Sequence, residues 1–255
     1  MEKRKIGSIS FTAGTWPPDP ERPTLLFIHG SGASSVLWDA QVEALAADFN
    51  TVALDLPGHG DSAGPGLDTI ADYTAAVTAF VQKAALPNLV PCGLSIGGAI
   101  AQLMLLDHLD RLRAGVLVST GARLKVMPQI LESIEQDYDQ FIAMSRLLAA
   151  SEKTPADLLE PLMAETARTA PRVTAGDFKA CDGFDVMDRL GGITLPVLII
   201  SAEDDKLTPP KYSDFMEKSI PGAVRCRIKD AGHVAPVEKP EEISRAIKTF
   251  LDGLE

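Results

Sequence analysis

The sequence predicts an α/β fold built on a doubly wound, mostly parallel sheet, and three observations carry that prediction. Short apolar, β-prone runs alternate along the chain with stretches of helical spacing, the order expected of parallel strands joined by crossover helices. Several of those runs are apolar at every position, as strands are when both faces of a sheet are covered. From about residue 123 to residue 190 the alternation stops. There Ile130, Ile134, Tyr138, Phe141, Ser145 and Leu148 fall three to four apart, which reads as one long amphipathic helix. Helical pieces without strands have no place in the layers of such a sheet, so this block is expected over its carboxyl edge, as a lid.

In chain order, Ile6 to Thr12 alternates apolar and polar residues and reads as one half-buried edge strand. Trp16-Pro17-Pro18-Asp19-Pro20 is a loop. Thr24 to Ile28 is a buried strand ending in His29-Gly30-Ser31-Gly32, and Trp38 to Phe49 has helical spacing. Thr51 to Leu54 is the next buried strand, opening into the long turn Asp55-Leu56-Pro57-Gly58-His59-Gly60-Asp61-Ser62. A helix from about Asp68 to Ala85 leads to the strand before Ser95, whose following helix runs to about Asp107. Gly115 to Val118 and Pro196 to Ile200 are strands on either side of the helical block, which is broken at Pro155, Pro161 and Pro171. A helix from Pro210 to Ser219, a strand from Val224 to Ile228 and a helix from Glu241 to Leu251 complete the chain. The expected organisation is a core of residues 1–122 and 191–255 with a lid of residues 123–190.

A chain of 255 residues can bury a full core as one such domain with an insertion. Its net charge of −11, with no offsetting basic stripe, argues against nucleic acid or an anionic membrane as partner. No apolar run reaches membrane-spanning length. The charged start, Met1 to Lys5, is followed by no apolar stretch, so no secretory signal is expected. Cys92, Cys181 and Cys226 are few, odd in number and scattered, which suits a reducing cytoplasm better than a disulfide framework. No Cys/His spacing suggests zinc, and no cofactor is expected. The sequence leaves the oligomeric state open, a homodimer included.

The chemistry gathers at Gly93-Leu94-Ser95-Ile96-Gly97, between a strand and a helix. A sharp strand-to-helix turn strains the serine backbone, and glycines on either side give it room. The turn pushes the Ser95 hydroxyl outward, a candidate nucleophile that needs a base. Of the four histidines, His233 follows the last strand, at the carboxyl edge where Ser95 sits, and is the candidate base. His29 reads as tying its own loop, His59 as a solvent-facing turn residue, and His108 as pointing away from the site. The imidazole needs a carboxylate to hold its tautomer, and Glu203, Asp204 and Asp205 all follow a buried strand.

His29-Gly30-Ser31-Gly32, Asp55 to Ser62, Gly93 to Gly98, Asp205 to Pro209 and Gly232-His233, in this order, resemble the α/β-hydrolase superfamily over nearly the whole chain. The resemblance implies that superfamily's fold, with the helical lid inserted after the sixth strand. It implies Asp205, four residues before Pro209, as the orienting acid, with Asp204 flanking it. It also implies an oxyanion hole of the Ser31 and Ile96 backbone N–H groups. Ala202 stands where the family usually has glycine. Gly93 to Gly98 with Ser119 to Arg123 looks like the β-ketoadipate enol-lactonase and small arylesterase branch. The first glycine-rich loop also looks like the meta-cleavage C–C hydrolases, but these usually carry Asn and Trp where Leu94 and Val234 stand here. A third alternative is a slow-hydrolase binding protein of the same fold. The expected reaction is hydrolysis of a small, mostly apolar ester or lactone. Trp38 is expected to pack beneath its loop, Arg123 to meet a substrate carboxylate, and Ile134 to face the pocket from the lid.

Overall fold

The computed structural model describes residues 2–107 and 111–254. Eight strands form one sheet: β1 (Lys3–Ile6), β2 (Ile9–Ala13), β3 (Thr24–Ile28), β4 (Asn50–Leu54), β5 (Leu89–Leu94), β6 (Gly115–Val118), β7 (Val197–Ala202) and β8 (Val224–Ile228). Their spatial order is β1-β2-β4-β3-β5-β6-β7-β8, with β2 antiparallel to β1 and β4 and every other pairing parallel. The crossover elements of the first half are α1 (Asp39–Leu45), α2 (Ile70–Lys83) and α3 (Ile96–Leu106). The block between β6 and β7 contains α4 (Pro128–Gln136), α5 (Tyr138–Ala149), α6 (Glu160–Arg168) and α7 (Pro171–Gly183). The chain ends in α8 (Pro210–Ser219), the single turn α9 (Ala235–Glu238) and α10 (Pro240–Asp252).

Continuous apolarity in the central strands reflects two cores. Leu26 and Ile28 of β3, with Val52 and Leu54 of β4, face the side covered by α2 and α3. Leu25 and Phe27, with Ala53 of β4 and Val90 and Cys92 of β5, face α1 and α10. Successive side chains on a strand point to opposite faces, so a strand buried on both is apolar along most of its length; the buried polar residues at the strand starts are hydrogen-bonded, Asn50 to the Asp19 and Arg22 carbonyls and the Thr51 hydroxyl to Val42 O.

Two expectations are corrected. The stretch from Ile6 to Thr12 is not one strand: the chain reverses at Gly7, at φ +62, and makes the β1–β2 hairpin. Gly115–Val118 is thereby the sixth strand. The long lid helix is two, because Asp137 leaves helical geometry at φ −152 and ψ 87 and its carboxylate caps α5 through the Gln140 N–H at 3.0 Å.

The helical block closes on itself at its base, where Val186 N–H meets Ala122 O at 2.8 Å and Leu124 N–H meets Phe184 O at 3.4 Å. It also has a core of its own, Ile130, Ile134, Phe141 and Ala175. No helix among the described residues is long and apolar enough to cross a membrane.

Candidate active site

Ser95 stands between β5 and α3 with φ 56 and ψ −118, a conformation that L-residues rarely adopt. The surrounding glycines are obligatory. A Cβ on Gly93 would lie 2.0 Å from Gly97 O, and one on Gly97 would lie 2.3 Å from Ile28 O. The turn is held by Ser95 N–H on Val118 O at 3.1 Å and by the Thr120 hydroxyl on Ser95 O at 2.8 Å. The Ser95 side chain does not cap α3, so its hydroxyl is left to the cavity above the sheet edge.

That cavity holds about 340 Å³. His233 and Ser31 line it with Ser95, and lid residues including Ile130, Phe141, Met163 and Phe178 form its roof. Its charged lining side chains among the described residues are Lys125, Lys206 and Lys211, and no carboxylate lines it. Lys125 and Lys206 are also partly exposed, which puts them at the opening.

His233 Nδ1 meets Asp205 at 3.0 Å to Oδ2 and 3.1 Å to Oδ1. The Asp205 carboxylate further accepts from the Leu207 N–H, the Thr208 N–H and the Thr208 hydroxyl. Burial works against ionising Asp205, but His233 and these donors together bring its pKa down to about 2. Asp204 is turned elsewhere, its carboxylate accepting from the Ser151 hydroxyl at 2.6 Å. Of the three acids in that loop, geometry joins Asp205 to the imidazole.

Ile96 is the first residue of α3, so its N–H is one of the helix's unpaired first-turn donors. Ser31 is the second residue of a turn closed by Ala33 N–H on Gly30 O at 3.2 Å, with Gly32 at φ +66. Gly30 lies close against the elbow, where a Cβ would be 3.6 Å from Ser95 Cβ. The loop therefore passes directly over the serine.

The other histidines divide sharply. His29 is fully buried; its Nδ1 donates to Gly30 O at 2.8 Å and its Nε2 accepts the Leu56 N–H at 3.0 Å. That pair of contacts requires the neutral ring, and burial, with His59 beside it, holds its pKa well below the ordinary histidine value. The solvent-facing reading of His59 is corrected. It is fully buried, with Nδ1 on Pro57 O at 3.2 Å and Nε2 on Asp177 at 2.9 Å. Both ring nitrogens face acceptors, as the protonated ring requires; burial opposes that charge, but Asp177 outweighs it and the pKa rises. His108 lies outside the described residues. Trp38 is buried and stacked on Phe27, with ring centroids 4.9 Å apart.

Two substrate-binding expectations are corrected. Arg123 lies at the base of the block, half exposed and 3.8 Å from Asp185, and does not line the cavity. Ile134 is buried in the block's own core, where α4 packs on α5 and α7, and does not reach the cavity either. The helical spacing that singled it out marks a buried face without saying which core the face joins.

Sequence reasoning missed three groups. Asp177 meets His59 and Tyr73 across the fold, and no short-range pattern links them. Glu238 is buried and accepts from the Gly232 N–H and the Ser151 N–H, both at 2.9 Å. Thr208 supports Asp205; an acid followed three residues later by threonine is a local-turn signature that could have revealed it.

Comparison with known proteins agrees with this architecture. Residues 25–246 match the alpha/beta hydrolase family. A pimeloyl-acyl-carrier-protein methyl ester esterase of Vibrio vulnificus is 23% identical over 250 residues, covering 92% of this chain and 96% of that protein. The structure of an enol-lactonase from Burkholderia xenovorans superposes with a TM-score of 0.87 at 21% identity, covering 98% of this chain and 100% of the other. That of a thermophilic esterase superposes with a TM-score of 0.82 at 30% identity, covering 99% and 97%. With a match across most of its length, an eight-stranded sheet of this order and helices inserted after the sixth strand, the chain is a member of the alpha/beta hydrolase family.

Proposed function

We propose that this protein is a serine hydrolase that cleaves a carboxylic ester or lactone of a small, mostly apolar substrate through an acyl-enzyme. One observation carries the reading: a single cavity joins a serine held on a strained, glycine-flanked turn to a histidine whose far nitrogen rests on a buried carboxylate.

In this reading the Ser95 hydroxyl attacks the ester carbonyl while His233 Nε2 takes its proton. Asp205, on Nδ1, fixes the tautomer and stabilises the imidazolium that forms. The N–H groups of Ser31 and Ile96 receive the oxyanion, donors set in place before charge develops. The imidazolium then protonates the departing alcohol, and water, deprotonated by His233, releases the acid. In a lactone the departing alcohol is the other end of the same molecule.

The relatives support ester chemistry: one named for a pimeloyl methyl ester, another for an enol lactone. The apolar roof suits a short acyl or aryl chain, and the lysines at the opening suit an anionic tail better than a cationic one. The test is turnover of a panel of p-nitrophenyl esters, lactones and methyl monoesters of dicarboxylic acids by the purified protein and its Ser95→Ala variant. Turnover that depends on Ser95 is expected. Absence of turnover on the whole panel, or turnover that survives the substitution, would sink the reading.

A further inference from the structure

The helical block does more than roof the cavity: it grips the loop that carries the proposed oxyanion donor. Gly32 follows Ser31 directly, and both of its backbone polar groups are bonded to the block. Its N–H donates to Asp177 Oδ2 of α7 at 2.9 Å, and its carbonyl accepts from the Thr169 hydroxyl at 3.2 Å. Asp177 is fully buried and is itself held by the core, through His59 Nε2 at 2.9 Å and the Tyr73 hydroxyl on Oδ1 at 2.6 Å. Tyr73 is fixed in turn by the Leu67 N–H at 3.0 Å. Asp177 does not line the cavity. On the opposite side of the turn, His29 holds Gly30 O.

We propose that Asp177, with Thr169 beside it, is a positioning residue for the reaction: by holding the Ser31–Gly32 peptide it stops the turn from rotating about Ser31, and so keeps the adjoining Gly30–Ser31 peptide, which carries the Ser31 N–H, in place. The inference rests on the reading of Ser31 as an oxyanion donor. Donors of this kind work only if they are fixed where the oxyanion will form. A turn with its third residue at positive φ is specified by little besides its own closing bond; here His29 constrains its first residue and the block its third. Asp177 thereby links lid and chemistry without touching substrate.

The experiment compares Asp177→Ala with Asp177→Asn. Both lose the charge opposite His59 and are expected to unfold at lower temperature. Asparagine, however, can turn its carbonyl to Gly32 and its NH2 to the Tyr73 hydroxyl, whereas alanine leaves the Gly32 N–H without an acceptor. Asp177→Ala should lower kcat on p-nitrophenyl acetate at least thirtyfold with KM within a factor of two, and weaken phenylboronic acid, a tetrahedral mimic, in parallel. Asp177→Asn should stay within about fivefold of wild type in both. A purely structural role would lower thermal stability in both variants and leave kcat per folded enzyme alike, and that result overturns the proposal. If Asp177→Ala does not fold, Thr169→Val, which removes the hydroxyl shared between the Gly32 and Glu165 carbonyls and leaves Asp177 in place, decides: a kcat lowered threefold or more at unchanged KM supports the proposal, and an unchanged kcat overturns it. Failure of the underlying site reading shows separately, as turnover surviving in Ser95→Ala or wild-type enzyme indifferent to the boronic acid.

Discussion

The Val234 N–H donates to Ala149 O at 3.0 Å, so the last residue of lid helix α5 is bonded to the residue that follows His233. Glu238 reinforces the junction from beneath, taking the N–H of Gly232 on one oxygen and that of Ser151 on the other. A Cβ on Gly232 would lie 2.5 Å from Ala150 C, so the two backbones are in direct contact. The insertion therefore braces the histidine loop as well as the serine-side loop. Excising residues 123–190 should therefore lower the basal rate on activated esters as well as selectivity.

Glu238→Ala should be strongly destabilising. It strands two buried backbone donors, at about 1–3 kcal/mol each, and should lower the urea midpoint accordingly. It should also lower kcat, since the His233 loop loses its support. A variant as stable and as fast as wild type would show that the junction has no part in holding the loop.

The proposed roles of Ser95, Asp205 and His233 make a graded prediction. Ser95→Ala should reduce kcat by about a million-fold, because the three groups act as a unit. Asp205→Asn should reduce it by roughly ten-thousand-fold through the wrong imidazole tautomer. Asp204→Asn should cost far less, since its carboxylate faces Ser151. Steady-state kinetics on p-nitrophenyl butyrate decides, and a larger loss at Asp204 than at Asp205 would reassign the acid.

Much of this site was legible in the sequence because its parts are local. The elbow is a run of five residues whose glycines are demanded by contacts within the turn and with the adjacent strand. Strands β3, β4 and β5 were legible because burial on both faces leaves an apolar run, with polar residues only at the starts of β3 and β4. What was hidden is pairing at long range. His59 sits in a turn, where exposure is the ordinary expectation, yet its partner Asp177 is 118 residues away. The break at Asp137 was invisible because Ile134, Tyr138 and Phe141 keep a helical spacing across it. Periodicity likewise could not tell the block's own core from the cavity wall, which misplaced Ile134.

Acid should weaken the fold in two stages, with opposing contributions from the fully buried His29 and His59. His29 has a lowered folded pKa, so its contribution is full above the ordinary value of 6.5 and is lost as pH falls below it. His59 has a raised folded pKa, so its contribution is full below 6.5 and is lost only as pH rises through the folded value. Asp205, near 2 against an ordinary 3.8, contributes about 2 kcal/mol above pH 4 that disappears between pH 4 and 2. Urea midpoints from pH 8 to 3 should show this. His29→Gln should flatten the slope below pH 6.5, and His59→Gln should remove the loss on the alkaline side. Slopes unaltered by either substitution would mean that neither ring titrates between the folded and unfolded states.

Substrate selection should follow the cavity wall rather than the lid's interior, and two substitutions in the same block separate these. Met163 lines the cavity from α6 and is almost fully buried, so truncating it enlarges the space above Ser95. Met163→Ala should move preference from short toward longer acyl chains by about tenfold, the worth of one to two methylenes in an apolar pocket. Ile134 packs against the lid's own helices, with 1% of its surface exposed, away from the substrate. Ile134→Ala should instead cost about 2–4 kcal/mol of stability through the void it leaves, with the ratio of acetate to octanoate turnover unchanged within about twofold. The two measurements needed are kcat/KM across a series of p-nitrophenyl esters and the urea midpoint of each variant. If Ile134→Ala shifts chain-length preference and Met163→Ala does not, the substrate enters between α4 and α7 instead of beneath α6, and the wall of the pocket has to be redrawn.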